Sequence, residues 1–260
     1  MKAIIVSLLL ILGFSTTQTF AADIKDATKL RIGVEGGYAP FSVKGSDGKF
    51  SGFDIDIAHA VCAQIKVDCV LVEINFDSMI PSLKVRKIDL IVASMAITDE
   101  RKKAVNFSDK YFDSPSRIVA RSDAKFEITK EGLSGKRVGV QRGTIQDNYI
   151  GVAFGKSTII RYGKVDEVYL DLASGRLDAV LDDAVSASEG FLKTPEGKGF
   201  AFIGPEFKDR KYFGDGVGIA MRKSETDLLA RVNAAIAEIR KNGEFKKIQD
   251  KYFDFEIFPK

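Results

Sequence analysis

The chain is poor in the residues that carry most metal, redox and nucleophilic chemistry. One histidine, His59, and two cysteines, Cys62 and Cys69, serve all 260 residues. A lone histidine supplies neither a metal cage nor a base–nucleophile relay, so no cofactor and no metal is implied. Neither a Walker loop nor a GxGxxG phrase is present, which leaves phosphate cradling without a motif. Charge of one sign is scarce as well: 39 Lys and Arg face 36 Asp and Glu, a formal net charge of +3. That balance, with no basic run interleaved with aromatics, implies no nucleic-acid or membrane attraction. After Ala22 there is no long apolar run, and no low-complexity segment or long linker interrupts the chain.

An apolar run does stand at the start. Lys2 precedes an almost unbroken apolar stretch from Ala3 to Phe14, and Thr19-Phe20-Ala21 places small residues at both recognition positions of a processing site. Spanning a bilayer takes roughly 20 apolar residues, more than this stretch has. Residues 1–21 therefore read as a signal peptide, cleaved after Ala21, or after Ala22 at the cost of a bulky Phe20 in the upstream recognition position. No cysteine lies near the junction to carry a lipid. Removing Lys2, the one charged residue of this segment, lowers the net charge from +3 to +2. The implied destination is most simply a bacterial periplasm. In an oxidising compartment Cys62 and Cys69 would bridge to each other; the alternative, a metal or redox pair, finds no compact two-cysteine knuckle in their spacing.

The chain also says one thing twice. Lys29-Leu30-Arg31-Ile32-Gly33-Val34-Glu35 returns as Lys136-Arg137-Val138-Gly139-Val140-Gln141. Lys87-Ile88-Asp89-Leu90-Ile91 returns as Arg176-Leu177-Asp178-Ala179-Val180. Each phrase is a short apolar β run ending in polar or Gly-rich residues. Helical patterns alternate with these runs: Ile57, Val61 and Ile65 recur every four residues after Gly52-Phe53-Asp54, and Val165 to Ala173 behaves likewise. Strand alternating with helix predicts an α/β fold with mainly parallel sheets. Asp113-Ser114-Pro115-Ser116 breaks the periodicity, and Gly214 to Met221 is Gly-rich and apolar. Both read as crossings, which gives two lobes joined by a two-strand hinge: lobe 1 over 22–113, lobe 2 over 114–214, and a return to lobe 1 over 215–260.

In α/β sheets, ligands bind outside the carboxyl ends of the strands. The exits here carry Glu35 and Ser94 from one lobe, Gln141 and Asp183 from the other. With Asp54 at a helix start, three carboxylates are expected to face one cleft, and they repel unless a cation joins them. Arg101 and Arg142 neutralise part of that charge; a ligand with positive charge at one end would compensate the rest. Arg101 offers a guanidinium fork for a carboxylate, with an exposed ion pair to Asp99 or Glu100 as the ordinary alternative. Gly143-Thr144-Ile145 opens a helix whose free N–H groups suit the same anion. Tyr38 and Phe76 offer aromatic faces to a cationic or aliphatic chain, with core packing as the plainer reading.

These residues carry a resemblance. Glu35-Gly36-Gly37-Tyr38-Ala39-Pro40-Phe41, Gly52-Phe53-Asp54-Ile55-Asp56, Ala93-Ser94-Met95-Ala96-Ile97-Thr98 with Arg101, and Leu170 to Ala179 resemble the periplasmic solute-binding proteins of polar amino-acid ABC importers. The likeness runs over essentially the whole mature chain and is strongest to the lysine/arginine/ornithine- and histidine-binding branch. It implies a receptor for a basic L-amino acid, arginine first, then ornithine, lysine or histidine, which works as a monomer with an inner-membrane ABC permease. It implies that Arg101 and the amide of Ile145, beside Thr144, hold the α-carboxylate and that Asp183 takes the α-ammonium. Ser94 adds polar contacts, Glu35 and Asp54 receive the cationic side chain, and Tyr38 and Phe76 flank its methylenes. Cys62 and Cys69 match a pair bridged in that branch. Departures are Ala93 and Ala96 in place of serines, Gln141-Arg142 in place of an apolar–amide pair, and Glu35 in place of a shorter aspartate. Related opine-binding receptors share the Glu35 phrase. An enzymatic alternative, a dehydratase of aromatic amino-acid synthesis, resembles the fold but lacks a histidine or cysteine at the exits.

Overall fold

A computed structural model describes residues 28–258; the signal peptide read over residues 1–21 lies outside them. The chain begins with β1 (Lys29–Val34), followed by a small antiparallel sheet of β2 (Gly37–Tyr38), β3 (Ser42–Lys44) and β4 (Phe50–Ser51). Next come α1 (Phe53–Gln64), β5 (Asp68–Glu73), α2 (Met79–Lys84), β6 (Leu90–Ile91), α3 (Asp99–Ala104) and β7 (Val105–Phe107). The second half runs β8 (Ser116–Arg121), β9 (Arg137–Gln141), α4 (Ile145–Ala153), β10 (Thr158–Tyr162), α5 (Val165–Ala173), β11 (Ala179–Asp183), α6 (Ala184–Ala187), β12 (Phe200–Phe207) and α7 (Arg210–Phe213). The chain then returns through β13 (Ala220–Arg222) to α8 (Thr226–Lys241) and α9 (Glu244–Tyr252). Among the described residues, no helix is long and apolar enough to cross a membrane.

Two five-stranded sheets result, ordered β5-β1-β6-β13-β7 and β10-β9-β11-β8-β12. The pairings β1–β5, β1–β6, β9–β10 and β9–β11 are parallel, while β13 and β8 run against both of their neighbours. Within each sheet, only the strand beside the crossing is therefore reversed. The crossings lie side by side: Tyr111 N–H donates to Val217 O at 2.8 Å, and Val217 N–H donates to Phe112 O at 2.9 Å.

The repeated phrases have a shared packing reason. A Cβ on Gly33 would come 2.5 Å from Ile88 Cδ1, and one on Gly139 would come 2.4 Å from Leu177 Cδ1. In both halves, the apolar residue of the second phrase rests on the glycine of the first. The neighbouring aspartates complete the match. Asp89 takes Arg31 Nε and Nη2, each at 2.9 Å, and Asp178 takes Arg137 Nε at 3.1 Å and Nη2 at 2.8 Å. Helix α8 buries Leu228, Val232, Ala235, Ile236 and Ile239 along one face, each large apolar side chain worth about 1.5–3 kcal/mol when fully buried.

Cys62 of α1 is bridged to Cys69 of β5, with Cα atoms 6.0 Å apart, so the structural reading of the pair holds. Closing so short a loop stabilises by about 2.5 kcal/mol on the chain-entropy estimate. The small β2–β3–β4 sheet was not legible in the periodicity, because strands of two or three residues are too short to show one.

Candidate functional site

The carboxyl ends of β1, β6, β9 and β11 converge on one pocket between the lobes. Glu35, Tyr38, Phe76, Ala93, Ser94, Ala96 and Arg101 line it from the first lobe, and Gln141, Thr144, Ile145 and Asp183 from the second. Asp182, Gln146, Ser116, Asp113 and Ser114 line it as well, with Phe213 of α7 and Gly216 and Val217 of the return crossing.

Glu35 leaves β1 and is only 4 % exposed. Its Oε1 accepts Gln141 Nε2 from the other lobe at 2.5 Å, and its Oε2 has no donor among the described residues. Burial pushes its carboxyl up to about 8; the Gln141 hydrogen bond opposes this, and the charges of Asp182 and Asp54 add to it. Asp183 caps α6, its Oδ1 accepting the N–H of Val185 at 2.8 Å and of Ser186 at 3.1 Å. Burial raises its carboxyl to about 6, against those backbone bonds.

Asp54 requires a correction. It is fully buried behind Ser94 and does not line the pocket. Both of its oxygens are taken, Oδ1 by Tyr111 OH at 2.8 Å and Oδ2 by Ser94 Oγ at 2.8 Å. Outside the pocket lining and held by both hydroxyls, it fixes Ser94 instead of receiving a ligand. Ser94 itself turns with φ 48°, a left-handed conformation uncommon outside glycine and typical of functional turns.

Arg101 sits in the first turn of α3, where Thr98 caps the helix by accepting the Arg101 N–H at 3.2 Å. Its guanidinium donates Nη1 to Ala96 O at 3.0 Å and Nη2 to Gly143 O at 3.1 Å, and lies 5.2 Å from the Phe76 ring centroid. No carboxylate of the described residues comes within ion-pair distance of it, so the pairing with Asp99 or Glu100 does not occur. Burial lowers its pKa to about 10, against the opposing charge of Glu100, as desolvation of a cation does. Thr144 caps α4, accepting Asp147 N–H at 3.1 Å while donating to Gln141 O at 2.8 Å. The Ile145 N–H, first in the helix, has no acceptor among the described residues. Tyr38 stacks on Phe41 at 5.4 Å, presenting a fixed face.

Arg142 lies at the rim, where its Nη1 pairs with Asp77 Oδ2 at 3.6 Å. Among the described residues no three His, Cys, Asp or Glu are arranged to hold a metal ion. Of the residues that sequence reasoning passed over, Asp182 is the most telling. Two consecutive acids closing an apolar strand was the available signal, and only the second was taken. Ser116 and Gln146, joined at 2.9 Å, gave none, since a crossing reads as linker. Chemically, the pocket offers one cation with no carboxylate partner among the described residues and several desolvated acids drawn from both lobes.

Residues 30–255 match the model of the bacterial extracellular solute-binding proteins, family 3. An L-arginine-binding protein of Pseudomonas aeruginosa is 48% identical over 251 residues, 96% of this chain and 95% of that protein. The lysine/arginine/ornithine-binding periplasmic protein of Escherichia coli K12 is 44% identical over 260 residues, 99% of each. An ancestral arginine-binding protein solved with arginine superposes with a TM-score of 0.80 at 36% identity, covering 87% of this chain and 98% of that one.

Proposed function

The chain belongs to the bacterial extracellular solute-binding proteins, family 3, and from that membership we propose that it is a receptor for a basic L-amino acid, arginine foremost. Arg101, with the Ile145 N–H, receives the α-carboxylate; Asp183 receives the α-ammonium; Glu35 receives the cationic end, and Tyr38 and Phe76 flank the methylenes between. Residues 22–113 and 215–260 form one jaw and 114–214 the other. Cleavage after Ala21 or Ala22 delivers the mature chain to the periplasm, where as a monomer it hands its ligand to an inner-membrane ABC permease.

The single observation behind this reading is the charge pattern of the pocket. Glu35 and Asp183 are desolvated acids held only by neutral donors, while Arg101 has no carboxylate partner among the described residues. A molecule with one anionic and two cationic groups answers all three. Binding a neutral side chain would leave Glu35 buried without a partner, and breaking such a pair costs about 3–5 kcal/mol, a hundredfold or more in affinity. Calorimetry of the mature protein across arginine, ornithine, lysine, histidine and glutamine tests it. Arginine is expected to bind at least about a hundredfold more tightly than glutamine; equal affinities overturn the assignment of Glu35.

A further inference from the structure

We propose that Asp182 is a second acidic anchor for the ligand's cationic end, set in lobe 2 against Glu35 of lobe 1, and that this pair selects a guanidinium. The inference rests on the reading of the site as a basic amino-acid receptor and names the residue that would discriminate within that class.

Asp182 ends β11 beside Asp183, is 6 % exposed, and lines the pocket. Its Oδ2 accepts Tyr169 OH at 2.6 Å. Tyr169 is itself held, stacked on Phe191 with centroids 4.7 Å apart and rings 3° from parallel. The Asp182 carboxylate is thus aimed by a rigid partner. The Asp183 N–H and the Ser186 hydroxyl add weaker support to its charged form, and the residue lines the pocket. Among neighbouring carboxylates, Asp182 has the largest electrostatic effect on Glu35.

Gln141 occupies one oxygen of Glu35, as Tyr169 occupies one oxygen of Asp182. Two acids, each steadied through one oxygen, therefore line the pocket from opposite lobes. Two desolvated carboxylates repel unless a cation lies between them. An ammonium is a compact point charge, whereas a guanidinium spreads five N–H donors over a rigid plane and reaches two separate acceptors at once. The arrangement suits the second.

Citrulline has the shape of arginine without the charge, so the arginine-to-citrulline affinity ratio isolates the anchor from general damage. Calorimetry on the mature wild type, Asp182→Asn and Glu35→Gln decides. In Asp182→Asn, arginine affinity should fall at least about tenfold while citrulline affinity holds, as expected for losing a charged hydrogen-bond partner. In Glu35→Gln, which keeps Asp182, a preference for arginine over citrulline should survive; this second variant decides the matter if the first does not fold. An unchanged ratio in Asp182→Asn, an equal loss for both ligands, or no residual preference in Glu35→Gln overturns the role of Asp182 alone. A wild type that prefers arginine to citrulline not at all removes the receptor reading itself.

Discussion

At the scale of the residue, two aspartates exchange the parts that sequence position assigned them. Asp54 lies at a helix start near the cleft, yet Tyr111 and Ser94 take both its oxygens; Asp182 was passed over, yet lines the pocket with its carboxylate held by Tyr169. The exchange is decided by a neighbour's hydroxyl in each case, and no spacing in the sequence announces it. Asp54→Ala should leave the buried Tyr111 hydroxyl and the half-buried Ser94 hydroxyl without an acceptor and cost about 1–3 kcal/mol in urea unfolding, chiefly the desolvation penalty of Tyr111. Asp54→Asn keeps an acceptor and should cost about 1 kcal/mol or less by the same reasoning. Arg101→Ala should weaken every α-amino acid by a similar factor, because it meets their common end. Calorimetry with arginine, lysine and histidine checks this, and a loss confined to one ligand contradicts it.

At the scale of the element, the internal repeat has a mechanical basis that was partly legible. The strand phrases, the alternation with helices and the apolar face of α8 could all be read from the periodicity, because burial of one face imposes it. The docking of phrase on phrase, Ile88 on Gly33 and Leu177 on Gly139, could not, because it needs both elements in place. The two halves also differ in depth. Asp89 accepts Arg222 Nη2 at 2.9 Å in addition to Arg31, and Arg222 is 7 % exposed. Asp178 has Arg137 alone, with both side chains substantially exposed. Asp89→Ala should therefore cost about 1.5–3 kcal/mol, since it removes a buried charged hydrogen bond from Arg222, which keeps Glu225 Oε1 at 3.2 Å, while Asp178→Ala should cost about 1 kcal/mol or less, as surface pairs do. Urea unfolding of the two variants tests the ordering.

At the scale of the whole molecule, the contact between the lobes brings acids together. Lys164 Nζ of one lobe meets Glu73 Oε1 of the other at 3.0 Å, and Arg142 meets Asp77. Inside this rim, burial raises Glu35 to about 8, Asp182 to about 7 and Asp183 to about 6. With these values above those of free carboxyls, about 4, the closed form binds more protons than the open one between about pH 4 and pH 8. Closure of the ligand-free protein is thus most favoured below about pH 4 and loses favour as pH rises through that window. Small-angle scattering should give a larger radius of gyration for ligand-free protein at pH 8 than at pH 5.5, and arginine should remove the difference. A radius independent of pH would show that these acids are as well solvated closed as open.

What the sequence determined by itself was the two-lobed α/β plan, the bridged cysteine pair and the strand exits carrying Glu35, Ser94, Gln141 and Asp183, because local periodicity and repetition are properties of neighbouring residues. What only the tertiary structure decided was which donors hold each carboxylate, that Arg101 has no acidic partner among the described residues, and that Asp182 lines the pocket. Those depend on hydroxyls, amides and carbonyls brought in from distant segments, and a hydrogen bond across a lobe interface leaves no trace in the order of residues.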